Sequence, residues 1–295
     1  MRIAGHTLGT PDQTVPEALA LFRSAGLDAA EVIYQDDYRS GLPLGDLAAA
    51  STARAAADEL GVPIVGLTPY TTGINHVDGT VRRAAIDEFR GALEIARIVG
   101  ADRLRVYAGS WHPGDMDRTG HWLRLVESLG ELAPEAAAAG VTLCVENHFG
   151  TMTQTARDTA ALVREVGSPN VRALYDQANL AFTHDEDVDA AFAAQGDLIG
   201  HVHVKDLVFV DVDAAFVASE TARVKAEERN VRSRVVGDGV LPWGRIVEAL
   251  VTSGYDDLLS LEYEYRWHPQ DLVPPAEGFR RGAEHLRALL EAAAA

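Results

Sequence analysis

The sequence predicts an α/β protein built as a single closed (β/α)8 TIM barrel spanning residues 1–295, and three observations predict it. Short apolar runs of strand length alternate with longer stretches of helical spacing, glycines stop the helices, and no linker composition divides the chain. Its 295 residues exceed the ~150 of a common domain, but barrels of about 250 residues routinely fold as one unit.

In chain order, the first strand is expected at Arg2–Leu8 (RIAGHTL) and is followed by a helix at Val15–Ala25. The next pairs are Ala30–Gln35 with Leu44–Leu60, Pro63–Tyr70 with Val81–Val99, and Arg103–Ser110 with Trp122–Ala139. Thr142–His148 precedes a helix at Thr155–Val166, and Val171–Asn179 precedes one at Val188–Ala194. Ile199–Asp206 leads to Ile246–Ser253, and Leu258–Tyr265 to Glu277–Ala292. Several of these strands are apolar on both faces, as strands covered by helices must be. Gly26, Gly61, Gly100, Gly140, Gly167 and Gly254 stand where helices should stop. Between the last two strands the connection is too long for one helix and two loops. Its excess, residues 207–236, contains the charged stretch TARVKAEERNV and is expected to form a lid-like insertion on the C-terminal face.

Composition narrows the function classes. The chain carries 26 lysines and arginines against 44 aspartates and glutamates, a formal charge of −18. Such a surface repels a phosphate backbone, so nucleic acid is not an expected partner. The single cysteine, Cys144, excludes an intramolecular disulfide framework and multi-cysteine metal sites, and reads as core packing. Neither a signal peptide nor an apolar membrane-spanning run is read in the chain, giving the expectation of a cytoplasmic protein with no membrane partner.

Polar residues at strand ends carry the chemistry. Glu146, Asp176, His203 and Glu262 fall at the C-terminal ends of the last four strands, where barrel active sites lie. Converging carboxylates repel one another and lose hydration unless a cation joins them. Three oxygen donors and one imidazole suit Mn2+, Mg2+ or Co2+. His201 shares the parity of His203 but lies one layer deeper. Tyr107, Trp111, Trp243 and Trp267 could stack on a flat ring of a ligand, or serve as core. His6 and Thr68 end strands and are weaker candidates for substrate contact. Lys205 could polarise a carbonyl, or snorkel at the surface.

The strings VENH, LYDQAN, HVHVKD, GDGVLPW and LSLEYE, in this order, resemble the sugar phosphate isomerase/epimerase group of the xylose-isomerase-like barrels. The resemblance implies that Glu146, Asp176, His203 and Glu262 bind one divalent metal, commonly manganese. It further implies a sugar, keto-sugar or polyol substrate. Ketose 3-epimerases of the group usually have a histidine where this chain has Asn179, and an arginine where it has Phe209, so their substrate clamp is incomplete here. The tail EYEYRWHPQDLVPP is similar to that of the large subunits of C-glycoside deglycosidases, which act with a smaller β subunit on 3-keto glycosides. That resemblance implies His148 as base and a hetero-oligomer; otherwise a homo-oligomer is expected.

The shared chemistry is proton abstraction beside a carbonyl. In an isomerase or epimerase Glu146 and Glu262 would act from opposite sides; in a carbon–carbon lyase His148 would take the proton. His6, Tyr107, Trp111, Asn179 and Lys205 are the expected substrate contacts. An abasic-site endonuclease would need many more metal ligands, and strands two and three end in Tyr34-Gln35 and Thr68-Pro69 instead. A non-catalytic barrel would have no reason to retain all four ligands.

Overall fold

The structure, a computed structural model, describes residues 1–111, 116–183, 186–214 and 229–294. Its barrel strands are β1 (Arg2–His6), β2 (Ala29–Tyr34), β3 (Ile64–Pro69), β4 (Arg103–Val106), β5 (Thr142–Glu146), β6 (Val171–Asp176), β7 (Ile199–Val204) and β8 (Leu258–Leu261). Neighbours pair in parallel, and β1 bonds to both β2 and β8, which closes the sheet into a barrel.

Around it run α1 (Val15–Ser24), α2 (Leu47–Leu60), α3 (Gly79–Val99), α4 (Arg118–Ala139), α5 (Ala156–Val166), α6 (Gln177–Thr183), α7 (Val188–Gln195), α8 (Trp243–Thr252) and α9 (Pro275–Ala293). Their boundaries follow local chemistry. Asp46 accepts the Ala48 and Ala49 amides at the start of α2, and Gly61 ends that helix at φ 64°. The core lies between sheet and helices: Phe22 of α1 and Phe279 of α9 meet edge to face at 4.9 Å, locking the two helices over the β1–β8 seam. Among the described residues no helix is long and apolar enough to cross a membrane.

The strands stop earlier than their apolar runs suggest. β5 ends at Glu146 and not His148, and β8 ends at Leu261, so Glu262 lies just past the sheet. Residues Gln177–Asn179, read as strand, begin α6 directly after β6. Asp176 Oδ1 accepts the Asn179 amide at 3.0 Å and so helps turn the chain into that helix.

In the 207–236 insertion, Asp206–Phe209 and Val231–Arg234 form a two-stranded antiparallel ribbon. Residues 215–228, which hold most of the charged helical stretch, lie outside the described residues. The base of the ribbon is tied down by Asp206, whose carboxylate accepts the amides of Leu207, Gly237, Gly239 and Leu241 at 2.9–3.1 Å. A Cβ on Gly239 would lie 1.9 Å from Asp206 Oδ1, so only glycine fits there. The Gly237-Asp238-Gly239 turn thus spends its amides on an internal carboxylate.

Candidate active site

Glu146, Asp176, His203 and Glu262 are all buried at the C-terminal mouth of the barrel. One donor atom from each lies within 4.8 Å of the others. The strand ends produce this convergence: Asp176 and His203 are register partners on β6 and β7, and Glu146 and Glu262 close the circle from β5 and the end of β8. His203 Nδ1 is 3.3 Å from Glu146 Oε1 and 3.1 Å from Glu262 Oε2.

Two buried cations face this acid cluster. Arg105 of β4 donates from Nε to Glu146 Oε2 at 2.7 Å, and its Nη2 contacts the same oxygen. Its guanidinium lies between the rings of Tyr70 and Tyr107, 5.1 and 5.0 Å from their centroids. Lys205 Nζ is 2.9 Å from Asp176 Oδ2 and 2.8 Å from Glu262 Oε2. Asn179 Nδ2 donates to Glu146 Oε1 at 3.3 Å and to the Asn147 carbonyl at 3.2 Å.

The carboxyl groups are not equivalent. Burial alone would raise the Glu146 pKa, but Arg105 and His203 outweigh it and hold the group well below the usual carboxylate range. Burial likewise raises Glu262, and Lys205 and His203 reverse it. At Asp176 burial prevails over Lys205, with Glu146 and Glu262 adding repulsion, and the pKa rises to about 6.

The donor set fits a divalent cation. Asp176 Oδ2 and Glu262 Oε2 are buried yet accept no directed hydrogen bond, in spite of the nearby ammonium. Buried oxygens normally have such partners, so these two have coordination capacity left. Three carboxylates with one imidazole are the chemistry of oxygen-preferring divalent ions.

Beneath the cluster lies a second polar layer. The Glu31 carboxylate of β2 accepts from Thr68 Oγ1 at 2.7 Å, His201 Nε2 at 2.9 Å, His203 Nε2 at 3.1 Å and Ser260 Oγ at 2.6 Å. Gly66 leaves room for it, since a Cβ there would come within 3.2 Å of Glu31 Cγ. His201 therefore does lie one layer deeper than His203.

The other expected residues divide into two groups. Asn179, Lys205 and His6 are buried against the cluster or the layer below it, so Lys205 is not a surface residue. His148 is half-buried after β5, its ring 4.9 Å from that of Tyr107 and 4.2 Å from that of Phe149. Trp243 is core and donates its indole N–H to the Lys205 carbonyl at 3.0 Å. Trp267 is exposed, and Cys144 is fully buried, where burial pushes its thiol up to about 12. Trp111 lines a neighbouring cleft with Tyr70, Asn75, His76 and Glu88, and none of the four clustered residues lines that cleft. Glu31 and Arg105 are absent from the sequence expectations. Their signal was a single carboxylate inside AAEVIY and the alternating arginines Arg103 and Arg105 inside RLRV.

The model of the xylose isomerase-like TIM barrel family matches residues 19–289. The chain belongs to that family. Among curated relatives, an inosose dehydratase of Geobacillus thermodenitrificans is 29% identical over 143 residues, covering 48% of this chain and 47% of that protein. A D-psicose 3-epimerase of Ruminiclostridium cellulolyticum is 28% identical over 150 residues, 50% of this chain and 43% of the epimerase. The match thus spans less than half the length of these two relatives. An L-ribulose 3-epimerase of Mesorhizobium japonicum is 27% identical over 250 residues, 83% of this chain and 73% of that one. A solved L-ribulose 3-epimerase superposes with a TM-score of 0.76 at 20% identity, covering 99% and 95% of the two chains. The zinc-bound IOLI protein gives 0.77 at 17% identity, over 99% of each. These superpositions place the barrel fold of this family member beside theirs.

Proposed function

We propose that this family member is a metal-dependent enzyme of the sugar isomerase/epimerase type, acting by proton abstraction beside a carbonyl of a sugar or keto-sugar. The observation that carries this reading is the convergence of Glu146, Asp176, His203 and Glu262 within 4.8 Å at a buried barrel mouth. These four residues would hold one divalent ion, Mn2+ being our choice with Mg2+ or Co2+ as substitutes. When bound, the ion polarises adjacent substrate oxygens and stabilises the negative charge that builds on them. The relatives named dehydratase and epimerase support the substrate class.

The protein groups divide the remaining work unequally. Arg105 and Asn179 both engage Glu146, which keeps that carboxylate anionic and fixed in orientation. Glu262 meets Lys205 and His203 and, among the described residues, no arginine, and we assign it the proton transfer at the substrate carbon. Lys205, which bridges Asp176 and Glu262, would donate to a substrate oxygen.

A second reading, elimination of an aglycone from a 3-keto C-glycoside with the help of a smaller β subunit, rests on the tautomer of His148. Its Nδ1 lies 2.7 Å from the Phe149 carbonyl, which can only accept, so Nδ1 carries the hydrogen and Nε2 keeps a lone pair. Burial lowers the His148 pKa to about 4, so that nitrogen is unprotonated near neutral pH but only weakly basic.

One experiment tests both readings. Metal-loaded protein is incubated in D2O with common ketoses and with 3-keto glycosides, with and without co-purifying partners, and deuterium in the substrate and released aglycone are followed by NMR. The first reading expects exchange that Glu262→Gln lowers by about 10²–10⁴-fold and His148→Ala largely spares. The opposite pattern, with metal retained in His148→Ala, favours elimination. Exchange unaffected by either substitution would overturn both assignments.

A further inference from the structure

The hydrogen bonds around Glu31 have a direction that follows from donor and acceptor chemistry alone. His6 Nδ1 accepts the Leu8 amide at 3.0 Å, so in the neutral ring Nε2 bears the hydrogen and donates to Thr68 Oγ1 at 2.9 Å. The Thr68 hydroxyl hydrogen is then free to point at Glu31 Oε1. Ser260, His201 and His203 bring three further donors. An ionised carboxylate offers about four lone-pair sites and no hydrogen, and here all are taken. Every neighbour of Glu31 is thereby held as a donor toward it.

For His203 this has a specific consequence. With Nε2–H directed at Glu31, the nitrogen facing Glu146 and Glu262 is Nδ1. We infer that Glu31 is a positioning residue that holds His203 with Nε2 protonated, so that its Nδ1 lone pair is the one offered to a cation among Glu146, Asp176 and Glu262. The inference rests on the metal reading above. A carboxylate behind a ligating imidazole fixes the ring's tautomer and orientation and raises its basicity. His6, Glu31 and His203 also form a geometric trio that could hold an ion. The Glu31 oxygens and both His6 nitrogens are already engaged, so that trio supports the first site and does not form a second. The expected stoichiometry is one ion per chain.

The test combines calorimetry with nitrogen spectroscopy on the full chain. Mn2+ titration of the wild type should give one site, and Glu31→Gln and Glu31→Met should weaken it about 10–100-fold. Glu31→Gln preserves shape, so it covers the case in which Glu31→Met fails to fold. Long-range 1H–15N spectra of wild-type protein loaded with diamagnetic Zn2+ should place the His203 proton on Nε2 and the metal shift on Nδ1. Tight Mn2+ binding with unchanged affinity in Glu31→Gln, or a zinc-shifted Nε2, would overturn the inference and leave the metal reading standing. Absence of divalent-ion binding in the wild type would overturn both.

Discussion

Glu31 and Asp176 are both buried carboxylates inside one barrel, yet their surroundings differ. Glu31, on the floor, is met by four aligned neutral or imidazole donors. Asp176, at the rim, has one oxygen that accepts no hydrogen bond and a lysine ammonium beside it. On the floor, burial is answered by four donors from three other strands, and no capacity remains. At the rim, charge is only partly answered, and the cluster keeps oxygens available for something the chain itself does not supply. Saturation marks support, and its lack marks a place for a ligand.

The largest expected effect that sharpens this contrast is at Arg105. It is the buried countercharge of Glu146, so Arg105→Met leaves a carboxylate in the barrel without its partner. Breaking a buried pair in this way typically costs about 3–5 kcal/mol. Urea unfolding of metal-free protein should register that loss. A change below about 1 kcal/mol would mean that the rim tolerates unpaired charge better than the comparison holds.

A smaller effect should appear on acidification. Burial lowers the His6 pKa to about 4, although Glu31 and Glu262 pull the other way. The folded state then binds fewer protons than the unfolded chain between about pH 6.5 and pH 4, so stability rises with pH across that window. It is fully present above pH 6.5 and is lost as pH falls through about 4. A proton on Nδ1 would also forfeit the bond from the Leu8 amide. Urea midpoints measured from pH 7 to pH 4 should fall steadily, and His6→Gln should remove about one proton from that slope. An identical slope in the variant would locate the acid sensitivity elsewhere.

The smallest effect is expected at Trp267, a residue 44% exposed on the tail that follows β8. Trp267→Ala should move stability by no more than about 0.5 kcal/mol. A larger loss would show that the tail is part of the packed rim.

The rim was legible in the sequence because its residues break a rule that can be checked locally. An acid or imidazole at the end of an apolar run is visible in VENH or LYDQAN without knowledge of the partner strand. The barrel was legible for the same reason, through alternation and helix-stop glycines. The floor was not. Glu31 lies within an apolar strand, and its donors at Thr68, His201, His203 and Ser260 are as much as 229 positions away. Arg105 was hidden similarly, since only the pairing of β4 with β5 places it on Glu146, 41 positions later. The start of α6 was misread because no glycine or proline separates it from β6, and the turn into helix depends on an Asp176–Asn179 contact.

The closed ladder between β1 and β8 has a consequence for how the chain assembles. Register partners such as Arg2 and Leu258 come from opposite ends of the chain. Long-range pairing of this kind slows folding, because chain closure precedes its reward. During that interval Glu31 has Thr68 as a nearby donor, while three others wait on β7 and β8. A carboxylate lacking donors resists leaving water. An unfinished barrel is therefore discouraged from collapsing shut around it. Arrival of the last two strands removes the objection, so the residue that orders the floor in the finished protein also sets a deadline for closing it.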